Sequence, residues 1–305
     1  MKVAIFRQKI KPLMLPLAMI IGAVFHNYIG YVKFLAPWLI FTMLLITFCK
    51  VKVKEFRVTS LSYSLLFVQI VGSLAVYFAL LPFNEDVAIA TFICVFCPTA
   101  TAAPVITGML GGSVPRLATY SIVSNITVAL LAPLLFSLMG SDASMGFAQA
   151  TAAISMKVVP LIILPLVIAL LLQLLTPKIH KVIAEKQSIS FYLWSMSLII
   201  VVGNAVSYMI QHHEHVMEMV VMALLSLLVC CLQFIAGRLI GRRCGDKIAG
   251  AQGLGQKNTV LAIWMALTFF HPVTSVGAAA YVAWQNIINS TQLYIKTKRD
   301  AVRQN

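Results

Sequence analysis

Two lysines stand where charge is expensive. The chain has 32 charged residues, 23 Lys and Arg with nine Asp and Glu. Only Lys157 and Lys257 fall inside its apolar segments. The acids (Glu55, Glu85, Asp86, Asp142, Glu185, Glu214, Glu218, Asp246 and Asp300) all lie in connections or at segment ends. Charge within a bilayer marks a functional site by default. Lys257 belongs to Gly253-Leu254-Gly255-Gln256-Lys257-Asn258, where glycines interrupt an apolar segment. A lysine at a helix centre costs about 2.5–3.5 kcal/mol on insertion scales, so a compensating partner is expected. With no carboxylate on the segments, the carboxylate or sulfonate of an organic anion would supply the counter-charge.

Apolar residues make up 60% of the chain and charged residues 10%, against about 25% charged in soluble domains. Runs long enough to cross about 30 Å of hydrocarbon recur. Ten spans are predicted: 12–29, 34–49, 58–80, 87–111, 115–138, 156–175, 189–210, 217–240, 247–270 and 273–295. All Lys and Arg except Lys33, Lys157 and Lys257, 20 of 23, then fall on the side of the two termini. This bias predicts an inner-membrane protein with both termini cytoplasmic. The net charge of +14 is therefore a topology signal and not a nucleic-acid footprint. The basic start (Lys2, Arg7, Lys9, Lys11) carries no small-residue cleavage site, so the first span is expected to be retained.

Five spans per half is an odd number, so a second copy of the unit must enter the membrane from the opposite face. That is the inverted repeat of many secondary transporters. The repeats are 1–140 and 156–295, joined by a small-residue linker at 141–155, with a cytoplasmic tail at 296–305. The fourth span of each half is interrupted. Pro98 and Pro104 break one; Gly250, Gly253 and Gly255 loosen the other. Matched interruptions point to a transporter's binding site. Half-helix N-termini near Pro104 and Asn258, each with about half a positive charge, should face the midplane and favour an anion.

These motifs resemble the bile acid:sodium symporter family over essentially the whole chain. The residues are Pro98-x-x-Thr101-Ala102 leading to Val105-x-Thr107, then Gly255-x-x-Asn258, then Trp284-Gln285-Asn286. The resemblance implies an all-α fold of ten transmembrane helices. Spans 1, 2, 6 and 7 would form a panel domain and the other six a core, with broken helices 4 and 9 crossing beside substrate and two sodium sites. It makes Thr101, Asn258, Gln285 and Asn286 substrate contacts, and Gln69 a sodium ligand; Lys257 joins the substrate contacts on its charge.

Several ligand positions depart from the family. Its ninth-span motif reads Glu-x-Gly-x-Gln-Asn, with a sodium-ligating carboxylate. Here Gly253 replaces the Glu and Lys257 the Gln. Ala103 and Pro104 stand for Ser-Asn, and Leu117 for a hydroxyl ligand, while Ser121 keeps another. Sodium sites with these losses are degenerate. The sequence therefore predicts sodium-independent transport of organic anions, bile-acid-like or smaller, by alternating access, with Lys257 replacing a sodium ion. A conventional sodium-coupled symporter and a non-transporting membrane sensor are the alternatives; an intramembrane enzyme lacks an acid, base or metal set. No metal or cofactor is expected, the partners are a small anion and the bilayer, and the oligomeric state is open.

The remaining polar residues have plainer readings. Lys157 is expected to snorkel at the outer interface. His212-His213-Glu214-His215 looks like a metal cluster but sits in an exposed connection. Cys94 and Cys97 lack a redox context. Asn125 and Asn204 are expected to bond between helices, Asn125 having a cavity-lining alternative, and Trp284 to pack.

Overall fold

A computed structural model describes residues 17–51, 56–140, 146–185, 187–211 and 216–304. The described chain is helical. Its one β contact is an isolated antiparallel bridge between Thr99 and Lys257. α1 covers 17–24 and α2 His26–Ile29. α3 (Ala36–Phe48), α4 (Ser60–Leu80), α5 (Glu85–Phe96), α6 (Ala103–Leu110) and α7 (Val114–Met139) complete the first half. The second half holds α8 (Phe147–Leu175), α9 (Pro177–Glu185), α10 (Gln187–Gln211), α11 (Val216–Arg243), α12 (Lys247–Gly255), α13 (Thr259–Phe269) and α14 (Ser275–Gln304).

In hydrocarbon each backbone N–H and C=O must find its partner inside the protein, which selects helices. Five of them are long and apolar enough to cross a membrane: Ser60–Leu80, Val114–Met139, Phe147–Leu175, Tyr192–Gln211 and Val216–Arg243. α4 shows how such a helix is oriented. Leu61, Leu65, Gln69, Ser73 and Tyr77, four apart, face inward, while Tyr63, Phe67 and Phe78 are exposed. The buried face mixes leucine with polar Gln69 and Ser73 while large apolar residues also face outward, unlike a soluble helix, whose outer face is polar.

α3 packs on α8 and α10, while α11 packs on α12 and α14. The α11–α12 contact is the closest. A Cβ added to Gly237 would meet the Gly250 carbonyl, and one on Gly250 would meet Gly237 and Gly241. Small residues let two backbones touch where no hydrophobic drive between helices exists. Phe92, Phe96 and Phe136 fill the space beside α5, with Phe92 and Phe96 stacked at 5.0 Å and Phe136 edge-on to Phe96 at 6.1 Å.

The structure redraws three connections. Of the expected linker 141–155, residues 141–145 lie outside the described residues, and α8 already begins at Phe147. Its Ala-rich start is good helix sequence. The 176–188 connection contains the short helix α9, which carries Lys178 and Lys181 beside exposed Ile179 and Val182. The tail from 296 onward is the end of α14, supported by a Lys296–Asp300 pair at 2.9 Å, one turn apart.

Gly250→Val should lower the unfolding midpoint of the detergent-purified protein, because overpacking costs typically about 1–3 kcal/mol. Gly30→Ala, with open space around the site, should leave it unchanged. Equal midpoints for both variants would contradict the close α11–α12 contact.

Candidate functional site

α5 stops at Phe96 because Cys97 precedes a proline, which disfavours helical backbone. Cys97 is accordingly extended (φ −53°, ψ 146°). Six residues later α6 starts at Ala103, with Pro104 in its first turn, where a missing N–H costs nothing. α12 stops at Gly255, and Gln256 is extended. Asn258 caps α13, its side-chain oxygen accepting the Leu261 N–H at 3.3 Å. The two extended stretches lie side by side. The Asn258 N–H donates to the Pro98 carbonyl at 2.8 Å, and the Ala100 N–H to the Gln256 carbonyl at 2.9 Å.

A helix end leaves carbonyls without intrahelical partners. Here side chains take them. Lys257 Nζ donates to the Val95 carbonyl at 2.7 Å. Gln69 Nε2 donates to the carbonyls of Phe96 at 2.6 Å and Cys97 at 3.3 Å. Gln233 Nε2 reaches the Cys94 carbonyl at 3.3 Å. At the end of α12, Thr99 Oγ1 donates to the Gly253 carbonyl at 2.8 Å, and the Tyr281 hydroxyl to the Gly255 carbonyl at 2.9 Å. Lys257 is 1% exposed. Its ammonium sits at the negative end of the α5 dipole.

The Gln69 amide has one workable orientation. Its Oε1 accepts the hydroxyls of Tyr120 and Ser124, both at 2.8 Å, and its Nε2 faces two carbonyls. That leaves its oxygen committed to protein donors.

Two other positions expected from the sequence to be degenerate sodium ligands meet in an apolar cluster. Ala103 and Leu117 belong to a buried cluster with Leu61, Leu65, Tyr120, Ala249 and Leu254. A Cβ on Gly253 would lie 2.9 Å from Leu65 Cδ1 and 3.0 Å from the Tyr120 ring. Ser121 and Pro104 instead line a cavity of about 180 Å³, together with Thr47, Lys50, Thr101 and Ile122. Lys50 follows the end of α3, and partial burial lowers its pKa below the ordinary lysine value. The cavity thus runs from a cation to the broken segment, with hydroxyls along its wall.

Of the five expected substrate residues, Thr101 lines this cavity. Lys257, Asn258 and Gln285 are buried behind the break. Gln285 Oε1 accepts the Lys257 backbone N–H at 2.8 Å. Asn286 donates to the Val282 carbonyl of its own helix at 2.7 Å. Sequence reasoning missed Thr99, Tyr120, Ser124, Gln233 and Tyr281. The available signal was the set of glutamines inside apolar segments, Gln69, Gln233, Gln252, Gln256 and Gln285, which hydrocarbon excludes unless they are bonded.

Lys157 is exposed on α8, its Nζ 5.9 Å from the Phe269 ring centre. Asn125 Nδ2 donates to the Ser121 carbonyl at 2.7 Å within α7, and Asn204 is half-buried. Trp284 packs against α11, its Nε1 donating to the Ala223 carbonyl and Ser226 Oγ at 3.1 Å. Cys94 and Cys97 are free and buried. The His212–His215 cluster lies outside the described residues.

No curated protein matches the chain in a sequence search. A family model does match, over residues 49–295, the stretch that holds both interrupted segments and most of the helices above. The chain belongs to the SBF-like CPA transporter family and is a multi-pass membrane protein of transporter type.

Proposed function

We propose that the protein is a sodium-independent secondary transporter of small organic anions, with the Lys257 ammonium in the place of a coupling cation. The observation that carries this reading is the Lys257 Nζ bond to the Val95 carbonyl, beside carbonyls already taken by Gln69 and Gln233. In transporters with broken helices, such carbonyl ends hold the coupling cations. Here the chain supplies its own donors. A sodium ion about 4 Å from a fixed ammonium would be repelled by about 4 kcal/mol at an effective dielectric near 20. The apolar packing of Ala103, Leu117 and Gly253 speaks equally against a cation at the other position.

The fold enters this proposal as ten spans in two inverted five-span repeats, in the inner membrane with cytoplasmic termini. α3 packs on both α8 and α10, and α2 packs on α10, which supports a panel of spans 1, 2, 6 and 7. Alternating access is then movement of this panel against the core. The cavity at Thr101 lies between them, since it is lined by Thr47 from α3 and by Pro104 and Ser121 from α6 and α7. Its volume of about 180 Å³ is below the roughly 300–1,000 Å³ of ordinary ligand pockets. This favours a small carboxylate or sulfonate over a sterol-sized anion. Thr101 and Ser121 would bond the anion and Lys50 would attract it. Lys257 acts from behind the break by holding the end of α5.

Uptake of labelled small carboxylates into proteoliposomes should proceed at the same initial rate when sodium is replaced by potassium or choline. Stimulation that saturates at millimolar sodium would sink the reading.

Lys257→Met keeps the aliphatic length and removes the charge. It should fold, because an unpaired buried charge is itself a cost, and lose at least about tenfold in transport, since a charge-assisted bond is worth roughly 1.5–3 kcal/mol. Wild-type rates across pH 6 to 8 would reduce the lysine to a packing residue.

A further inference from the structure

A second polar region lies behind the crossing, where α6 packs on both α12 and α14 and side chains join the latter two. Gln252 Nε2 of α12 donates to Asn289 Oδ1 at 3.0 Å and Gln292 Oε1 at 3.3 Å of α14. Thr107 of α6 approaches from the third side; a Cβ on Gly112 would touch both Thr107 and Ile248, one turn before Gln252. Four polar atoms here have no protein partner: Thr107 Oγ1, Gln252 Oε1, Gln256 Oε1 and Asn289 Nδ2. Their residues are 0, 0, 1 and 2% exposed. Such groups are normally satisfied, by protein or by ordered water. Acceptors and a donor together, without a charge, suit water better than an ion.

The polar residues also form a line. Tyr281, Gln285, Asn289, Gln292, Lys296 and Asp300 recur every three or four residues, along one face of α14. The line runs from the half-buried Lys296–Asp300 pair to Tyr281, which accepts a hydrogen bond from Gln233 at 3.0 Å. Gln233 also donates to the Cys94 carbonyl, next to the Val95 carbonyl that holds the Lys257 ammonium. The titratable groups facing that ammonium are Cys94 of α5, Cys97 just past its end and Cys230 of α11; Tyr281 of α14 in turn faces Cys94 and Cys230. No carboxylate faces it among the described residues.

We propose that the α6–α12–α14 seam is a water-binding site that gives the Lys257 end of the core a route for proton exchange with the Lys296 face. Each exchange returns one proton to the ammonium for each one released, carried as hydronium along the water file. This exchange step rests on Lys257 standing in for a cation.

X-ray radiolysis of water, with side-chain oxidation read by mass spectrometry, tests the seam in the wild-type protein. Tyr281 and Tyr120 are the same residue type and both fully buried, but only Tyr281 is on the seam. Tyr281 should be oxidised at least about fivefold faster. In Thr107→Cys, the new thiol should outpace the buried native Cys230 at least about tenfold. Gln252→Leu with Asn289→Leu should remove the excess at Tyr281. Equal rates for the two tyrosines, or for the two thiols, would overturn the hydrated seam, and the wild-type comparison stands even where a variant does not fold. Sodium-stimulated uptake would overturn the proposed function and the proton step while leaving the labelling result intact.

Discussion

Backbone that leaves the helix inside hydrocarbon must be bonded by the protein itself. This constraint shapes the centre of the molecule. Interrupting α5–α6 at Pro98 and α12–α13 at Gln256 exposes two sets of peptide groups at one depth. Each set satisfies part of the other through the Pro98–Asn258 and Ala100–Gln256 bonds. The remainder falls to side chains. Gln69, Thr99, Gln233, Lys257 and Tyr281 come from three different helices and the two extended stretches, yet all donate to carbonyls at the two helix ends. The crossing therefore fixes how α4, α5, α11, α12 and α14 are set around it.

That arrangement also explains where glycine is needed. α12 has to bring its carbonyl end to Thr99 and Tyr281 while lying against α11. Gly237, Gly241 and Gly250 permit the approach because each faces backbone at a distance no side chain could share. Gly253 serves differently. It lies against the Leu65 and Tyr120 side chains, so replacing it with a carboxylate would require the apolar cluster to move. The missing acid and its apolar surroundings form one solution, in which α4 and α7 close over the place a charged residue would occupy.

Much of this was legible in residue types. Paired prolines identified the first interruption, since proline acts on local backbone. The clustered glycines marked the second only approximately: Gly250 and Gly253 lie inside α12, which runs on to Gly255. Lys257 was conspicuous because nothing else charged shares its depth. The Asn258 cap followed from an amide just ahead of an apolar helix. The direction of the Lys257 side chain was not legible. Sequence places the residue at the break but does not say which of several carbonyls or ligands it meets, and long side chains choose by tertiary packing. The glutamine bonds were hidden for the same reason. The helical start of α8 at Phe147 and the extension of α14 to Gln304 were missed because hydropathy marks where a span ends, not where a helix does.

A fixed ammonium and a bound sodium ion differ in one physical respect. The ion can leave, so its binding and release can be tied to the transport cycle. A lysine is tethered, and its side chain bonds the end of α5 without leaving the protein. A carrier that replaces the ion with the tether gives up sodium as an energy source and keeps the electrostatics that hold its crossing together. Its substrate gradient, or a mobile species that reaches the lysine, must then supply direction. The family assignment alone would suggest cation coupling. The scaffold is what the chain shares with its family; under the proposed function, the coupling is set apart from it by the local chemistry of Gln69, Gly253 and Lys257.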